Sequence, residues 1–271
     1  MALSLTRRDS SPIPVEVFGL TPDKLVGRNA NEISRIKVLH GNREEMVGDH
    51  FLATGTLDAD PVVYFTGDCS AVKGIGAGMA GGFVVANGPV GMHAGARMSG
   101  GRLVLTDASD WLGAEMTGGS IQVRGNAGNQ AGAAYRGSRK GMRGGRIQID
   151  GTAGDELGLL MRRGRISVGG AVGEFCGASM IAGTILVAGG VGPRCGAGMK
   201  RGTIVAFGKE PDLPPGFRYA CEYTPAFARI LDRDGEASDW GKDLTVSSVR
   251  LFRGDLTTGG RGEIWHVPSS G

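Results

Sequence analysis

The chain reads as all-β: a right-handed parallel β-helix of Gly-rich coils about nineteen residues long, with small extensions at both ends. Three observations predict this. Methionine recurs at a nearly constant interval. Glycine follows each methionine in a fixed frame. Apolar pairs of strand-forming residues alternate between the glycines.

The methionines are Met79, Met98, Met116, Met142, Met161, Met180 and Met199, separated by 19, 18, 26, 19, 19 and 19 residues. Three places after each stands Gly82, Gly101, Gly119, Gly145, Gly164, Gly183 or Gly202. Five and seven places after come Leu103/Leu105, Ile121/Val123, Ile147/Ile149, Ile166/Val168 and Ile185/Val187, with Val84/Ala86 and Ile204/Ala206 as weaker end members. Period-two alternation marks strands with one buried face. Flanking glycine allows turns at positive φ. A nineteen-residue coil cannot bury a core alone, but stacked coils place like residues about 4.8 Å apart, in ladders of Met and of Ile/Val.

Composition agrees. Glycine supplies 50 of 271 residues, yet there is no Gly-X-Y period, and 41% of the chain is hydrophobic. Those values exclude collagen and disorder. Glycine costs a helix roughly 1 kcal/mol per residue relative to alanine.

The frame divides the chain into an N-terminal extension or cap (1–47), the β-helix (48–208) and a C-terminal extension (209–271). Phe51/Ala53/Gly55 and Val63/Phe65/Gly67 read as degenerate early turns of the helix. In the cap, Val15–Phe18 and Ile36–His40 are expected strands, and Gly41-Asn42 turns into Arg43–Val47. The step of 26 conceals a seven-residue insertion, Tyr135–Gly141, expected to bulge outward as a basic loop. The C-terminal extension is expected to cover the last coil and reach a neighbour.

Charge is uneven. Between Met116 and Gly208, twelve Lys/Arg face four Asp/Glu, while the whole chain carries +3. The N-terminus lacks an apolar signal core, no apolar run is long enough to span a bilayer, and four scattered cysteines form no secreted framework. A cytoplasmic protein without membrane or nucleic-acid partners is expected.

Little in the sequence points to chemistry on this chain. His40, His50, His93 and His266 form no H-x-H or H-E-x-x-H pattern, and each is read as a separate structural histidine. Cys176 and Cys195 should stack in successive coils, but two thiols are not a metal site. Gly76, Gly78 and Gly81 satisfy G-x-G-x-x-G, yet an expected strand, not a helix, follows. Asp155 and Glu156, adjacent in an extended segment, point apart. No catalytic, cofactor-binding or metal residue is assigned.

The arginines carry the one site expectation. Arg146 and Arg165 occupy one place in consecutive coils, as do Arg143 and Arg162, with Arg136, Arg139 and Lys140 on the insertion just before. Like charges held about 5 Å apart across strands are unfavourable. The stripe is therefore expected to meet acidic groups of a partner subunit, with a merely solvated face as the alternative.

The glycine repeat resembles the β-helix shared by the C-terminal domain of glutamate synthase and the C-subunit of formylmethanofuran dehydrogenase. The flanks, Gly41-Asn42 with Gly48-Asp49-His50-Phe51 and Arg253-Gly254-Asp255-Leu256 with Gly260-Arg261-Gly262-Glu263-Ile264, are similar to the C-subunit family. The resemblance spans about 33–267 and is greatest to the version in the methylotroph formyltransferase/hydrolase complex. It implies a non-catalytic scaffold in a complex that moves formyl from formyl-tetrahydromethanopterin to methanofuran and releases formate, in one-carbon metabolism and formaldehyde oxidation. The implied partners are amidohydrolase-like, formyltransferase-like and dehydrogenase-B-like subunits. A molybdenum or tungsten formylmethanofuran dehydrogenase, or a glutamate-synthase-like domain, are the alternatives.

Overall fold

Strands follow the alternating pairs with little deviation. The computed structural model describes residues 2–9, 11–57, 61–226, 228 and 248–268. In chain order its strands are β1 (Leu3–Arg7), β2 (Val15–Glu16), β3 (Lys37–His40), β4 (Arg43–Met46), β5 (Phe51–Thr54), β6 (Val62–Thr66), β7 (Val72–Lys73), β8 (Phe83–Val90) and β9 (Arg102–Ala108). After these come β10 (Ser120–Val123), β11 (Arg143–Ile149), β12 (Arg163–Val168), β13 (Thr184–Val187), β14 (Thr203–Phe207), β15 (Arg218–Tyr223), β16 (Val249–Gly254) and β17 (Gly262–Val267). Three helical turns are α1 (Pro22–Leu25), α2 (Ala30–Ser34) and α3 (Val47–His50). No described helix is long and apolar enough to cross a membrane.

Strands β8 through β14 pair in parallel, each with the next in sequence, and the register superimposes the repeat. Ile121 pairs with Ile147, Ile147 with Ile166, Ile166 with Ile185 and Ile185 with Ile204. A second line of parallel bridges, Ala108–Ala127–Ala153–Val172–Val191, joins the same segments at another place. All seven methionines and the inward Ile/Val pairs from Leu103 to Ile204 are buried. Burying one such side chain contributes about 1.5–3 kcal/mol, and the in-register pairing sets each buried residue against its counterpart in the next segment.

The turns explain why glycine is not used everywhere. His93, Trp111, Gln130, Glu156, Phe175 and Arg194 all adopt φ between +58° and +66°, one per segment. Beside them runs a ladder of short polar side chains. Asp110 Oδ1 accepts Asn129 N–H, Asn129 Oδ1 accepts Asp155 N–H and Asp155 Oδ1 accepts Glu174 N–H, at 2.7–2.8 Å. Asp155 is thus occupied in bonding the backbone, and Glu156 Oε2 accepts from Gln130 Nε2.

Both ends depart from the sequence expectations. Strand β1, placed in the cap, lies parallel to β6 with Leu3 opposite Val63 and Leu5 opposite Phe65. Strand β5 then pairs antiparallel with β1, Ala53 opposite Leu5, so Phe51/Ala53 is no early turn of the repeat. At the other end β17 pairs in parallel with β14, Ile204 opposite Ile264, so the segment after 208 supplies the next member of the stack. The reason is common to both: an uncovered edge leaves a row of backbone donors and acceptors, and the chain termini fill it.

Residues after 208 also build a second core on the outer face of the sheet. Outward-facing Leu186, Val205 and Trp265 cluster with Phe207, Ala228, Val249, Leu251 and Val267. The sequence signal is the change from I-Q-V and I-S-V to the continuous I-L-V and I-V-A, as expected where both faces are buried. In the N-terminal region β2, β3, β4 and β7 form a small separate sheet, with β3 and β4 paired antiparallel across Gly41-Asn42 as the turn chemistry predicts.

Candidate functional site

Three groups of side chains stand out from the repetitive frame: a cationic groove, an aromatic cleft and a histidine cluster.

The groove, about 470 Å³, is lined by Lys140, Arg143, Arg162, Arg163, Lys200 and Arg201 with Ile181 and Ala182. Its lining holds no acidic residue. Arg146 and Arg165 lie directly opposite each other in the β11–β12 register, beside Ser120 in an adjoining cleft of about 360 Å³. Arg143 pairs with Arg163, and not with Arg162 as its spacing suggested. The register shifts between Arg143 and Arg146, so β11 carries an extra residue there; a bulge of this kind re-aims side chains. Arg136 and Arg139 lie outside the groove, exposed on the insertion. Counting charges in one frame therefore located the basic face but missed Arg163, Lys200 and Arg201.

The insertion folds inward at its first residue, which corrects the expectation of a loop that bulges wholly outward. Tyr135 stacks on Trp111 at 5.0 Å between ring centroids, with the Arg97 guanidinium over its ring. Its hydroxyl lies 2.9 Å from His93 Nδ1. Arg97 Nε donates to Glu115 Oε2 at 3.0 Å, and Tyr135 N–H to Glu115 Oε1. His93, Arg97 and Tyr135, together with Phe18 and Lys24, border a cleft of about 560 Å³. Burial pushes the Tyr135 phenol up to about 12. Burial also lowers His93 from its ordinary value, reinforced by Lys73. Burial would raise Glu115, but hydrogen bonds from Ser138 and Arg97 hold its carboxyl below the usual range.

The third group overturns the reading of four separate histidines. The β3–β4 hairpin and α3 bring His40, Glu45 and His50 together, one ligand atom of each within 4.8 Å of the others. The imidazole centroids of His40 and His50 are 4.6 Å apart. His93 joins the aromatic cleft, and His266 Nε2 contacts Gly208 O at 2.7 Å.

The remaining motifs have structural roles. Cys176 and Cys195 are free, buried and in contact; the hydrogen bond between them and burial raise the Cys176 thiol well above its ordinary value, leaving it unreactive. Gly76, Gly78 and Gly81 are followed by strand β8, without a helix to receive a phosphate. Asp255 of the C-terminal flank accepts Gly198 N–H and Thr257 N–H, fastening β16 to the last methionine segment.

A stack of in-register parallel segments carrying one repeated pattern defines a repeat protein, here with a basic groove on one face. No protein-family model matches the chain. It is 40% identical over 95 residues to the C-subunit of the molybdenum-containing formylmethanofuran dehydrogenase 1 of Methanothermobacter thermautotrophicus, covering 35% of this chain and 24% of that protein. To the C-subunit of the tungsten-containing formylmethanofuran dehydrogenase 2 of the same organism it is 36% identical over 95 residues, covering 34% and 35%. The match thus spans about a quarter to a third of these curated relatives. A chain in the crystal structure of the formyltransferase/hydrolase complex from Methylorubrum extorquens, with methylofuran, superimposes with a TM-score of 0.88 at 33% identity. That alignment covers 98% of this chain and 99% of the other. The chain belongs to the C-subunit family of formylmethanofuran dehydrogenases.

Proposed function

We propose that the chain is the C-subunit of a formyltransferase/hydrolase complex, a parallel β-helix that holds other subunits in place and carries out no formyl chemistry itself. The observation that carries this reading is the end-to-end likeness to a chain of the Methylorubrum extorquens complex. The register supports the β-helix: from Ile147 to Ile204 each inward pair stacks on its counterpart nineteen residues on. The groove from Lys140 to Arg201 and the Arg136–Arg165 stripe suit an acidic protein surface, where guanidinium groups bind carboxylates bidentately. The partners in this reading are the amidohydrolase-like, formyltransferase-like and dehydrogenase-B-like subunits, and the complex acts on methanofuran-type and tetrahydromethanopterin-type carriers. The isolated chain needs no redox or formyl-carrying cofactor.

Affinity purification of the chain from native extract tests the proposal. It should recover those partners and an activity that releases formate, and the chain alone should be inactive. Formyl transfer or hydrolysis by the isolated chain would overturn it. A dehydrogenase assembly is the second reading, favoured by the 40% identity to the molybdenum-dependent relative. It predicts molybdenum or tungsten in the purified complex.

A further inference from the structure

We infer that His40, Glu45 and His50 form a binding site for a divalent transition metal, zinc first, that clamps the N-terminal region onto the start of the coil stack. The inference begins with Asp9. Its Oδ1 accepts from Arg7 Nη2 at 2.7 Å and from Ser11 N–H at 3.0 Å. An aspartate so placed is a carboxylate and can only accept. Its Oδ2 lies 3.3 Å from His50 Nδ1, so that nitrogen carries the proton. In the neutral ring the lone pair is then on Nε2.

That atom is buried, makes no hydrogen bond and points into the cluster. Glu45 Oε2 stands 2.8 Å from it and 3.1 Å from His40 Nδ1. The His50 side chain is 4% exposed. A buried ring nitrogen and a carboxylate oxygen at that distance need either a proton or a metal ion between them, and the nearby His40 nitrogen supplies a third ligand atom that a metal can use. Zinc takes histidine nitrogen and carboxylate oxygen at about 2.0–2.2 Å, with ligands about 3.4 Å apart in a tetrahedron. The three atoms lie within 4.8 Å of one another, so small side-chain rotations seat the ion. Two histidines and one glutamate are an established zinc set, with water as fourth ligand.

The surroundings fit as well. A ligating histidine characteristically donates its other N–H to a carboxylate or another oxygen, which fixes the ring. His50 Nδ1 has Asp9, and His40 Nε2 has Ser11 Oγ at 3.5 Å. The ligands come from β3, β4 and α3, and their outer partners follow β1. The ion would therefore join the small sheet to the strand that closes one end of the large one.

The test uses the untagged full chain with whatever partners accompany it, dialysed against micromolar zinc and assayed for metal. Wild type should carry one zinc per chain more than His50→Ala or the His40→Gln/Glu45→Gln double variant. Zinc should raise the thermal midpoint of wild type alone. Asp9→Asn should weaken zinc affinity 10- to 100-fold, the usual effect of removing an outer-shell carboxylate. Should the variants fail to fold, cobalt titration of wild type still decides the matter: a tetrahedral visible spectrum saturating at one equivalent supports the site. Equal zinc in wild type and variants, or no cobalt spectrum in wild type, overturns it.

Discussion

The terminal methyl of Met116 lies 2.7 Å from the point that a Cβ on Gly145 would occupy. Gly145 also has φ of +83°. The same relation links Met98 to Gly119, Met142 to Gly164 and Met180 to Gly202, each at 2.6–2.9 Å. Two independent demands thus fall on one residue. Gly145→Ala should destabilise the fold by about 2–4 kcal/mol, the sum of a left-handed backbone cost and overpacking. Gly137 has φ of +84° with open space around it, so Gly137→Ala should cost only about 1 kcal/mol. Denaturant unfolding of both variants checks the difference; equal losses would show that the methionine contact contributes nothing.

The Asp110–Asn129–Asp155–Glu174 ladder predicts a second, smaller effect. Asn129 both donates its backbone N–H to the preceding segment and accepts from the next. Asn129→Ala removes the acceptor and leaves the exposed Asp155 N–H to water, at a cost of about 0.5–1.5 kcal/mol. Amide hydrogen exchange should accelerate at Asp155 and leave Asn129 itself protected, since Asp110 still accepts its N–H.

Sequence periodicity made the middle of this fold legible because the packing is itself periodic. Ile147 pairs with Ile166 for the same reason that both follow a methionine by five places. Leu3 and Ile264 were not legible in that way: their partners Val63 and Ile204 are about sixty residues distant, and no local pattern encodes such a register. The alternation of Leu3 and Leu5 was a usable hint. Arg163 was missed because a bulge breaks the frame, and His40 with His50 because a hairpin, not a spacing motif, brings them together.

The groove makes a prediction that depends on the proposed assembly. Arg143→Glu/Arg163→Glu reverses two exposed charges without touching the core, so the isolated chain should keep its thermal midpoint within about 2 °C, as surface changes usually do. Complex formation should weaken at least tenfold at moderate salt. Arg146→Glu/Arg165→Glu should do the same if the stripe extends to that cleft. High salt should narrow the gap between wild type and variant, because screening shortens the reach of exposed charges. Unchanged assembly in both double variants would place the interface elsewhere.

His93 gives the cleft a pH dependence whose sign follows from its surroundings. Burial opposes its cation, Lys73 opposes it further, and Glu16 and Asp110 only partly compensate, so its folded-state value lies below 6.5. A group lowered on folding contributes stability that is fully present above the unfolded value and lost as pH falls through the folded one. Tyr135, at about 12, stays neutral throughout this window. Protonation of His93 removes an acceptor for the Tyr135 hydroxyl and places a cation beside Lys73. The Tyr135–Gly141 loop should therefore loosen at acidic pH and hold above neutrality. Trp111 fluorescence, sensitive to the ring stacked 5.0 Å away, should report the change as pH falls below 6.5. His93→Gln keeps a neutral side chain at every pH and should flatten that response, whereas Tyr135→Phe should lower stability by about 1 kcal/mol at neutral pH. A fluorescence transition that persists in His93→Gln would assign the effect to another group.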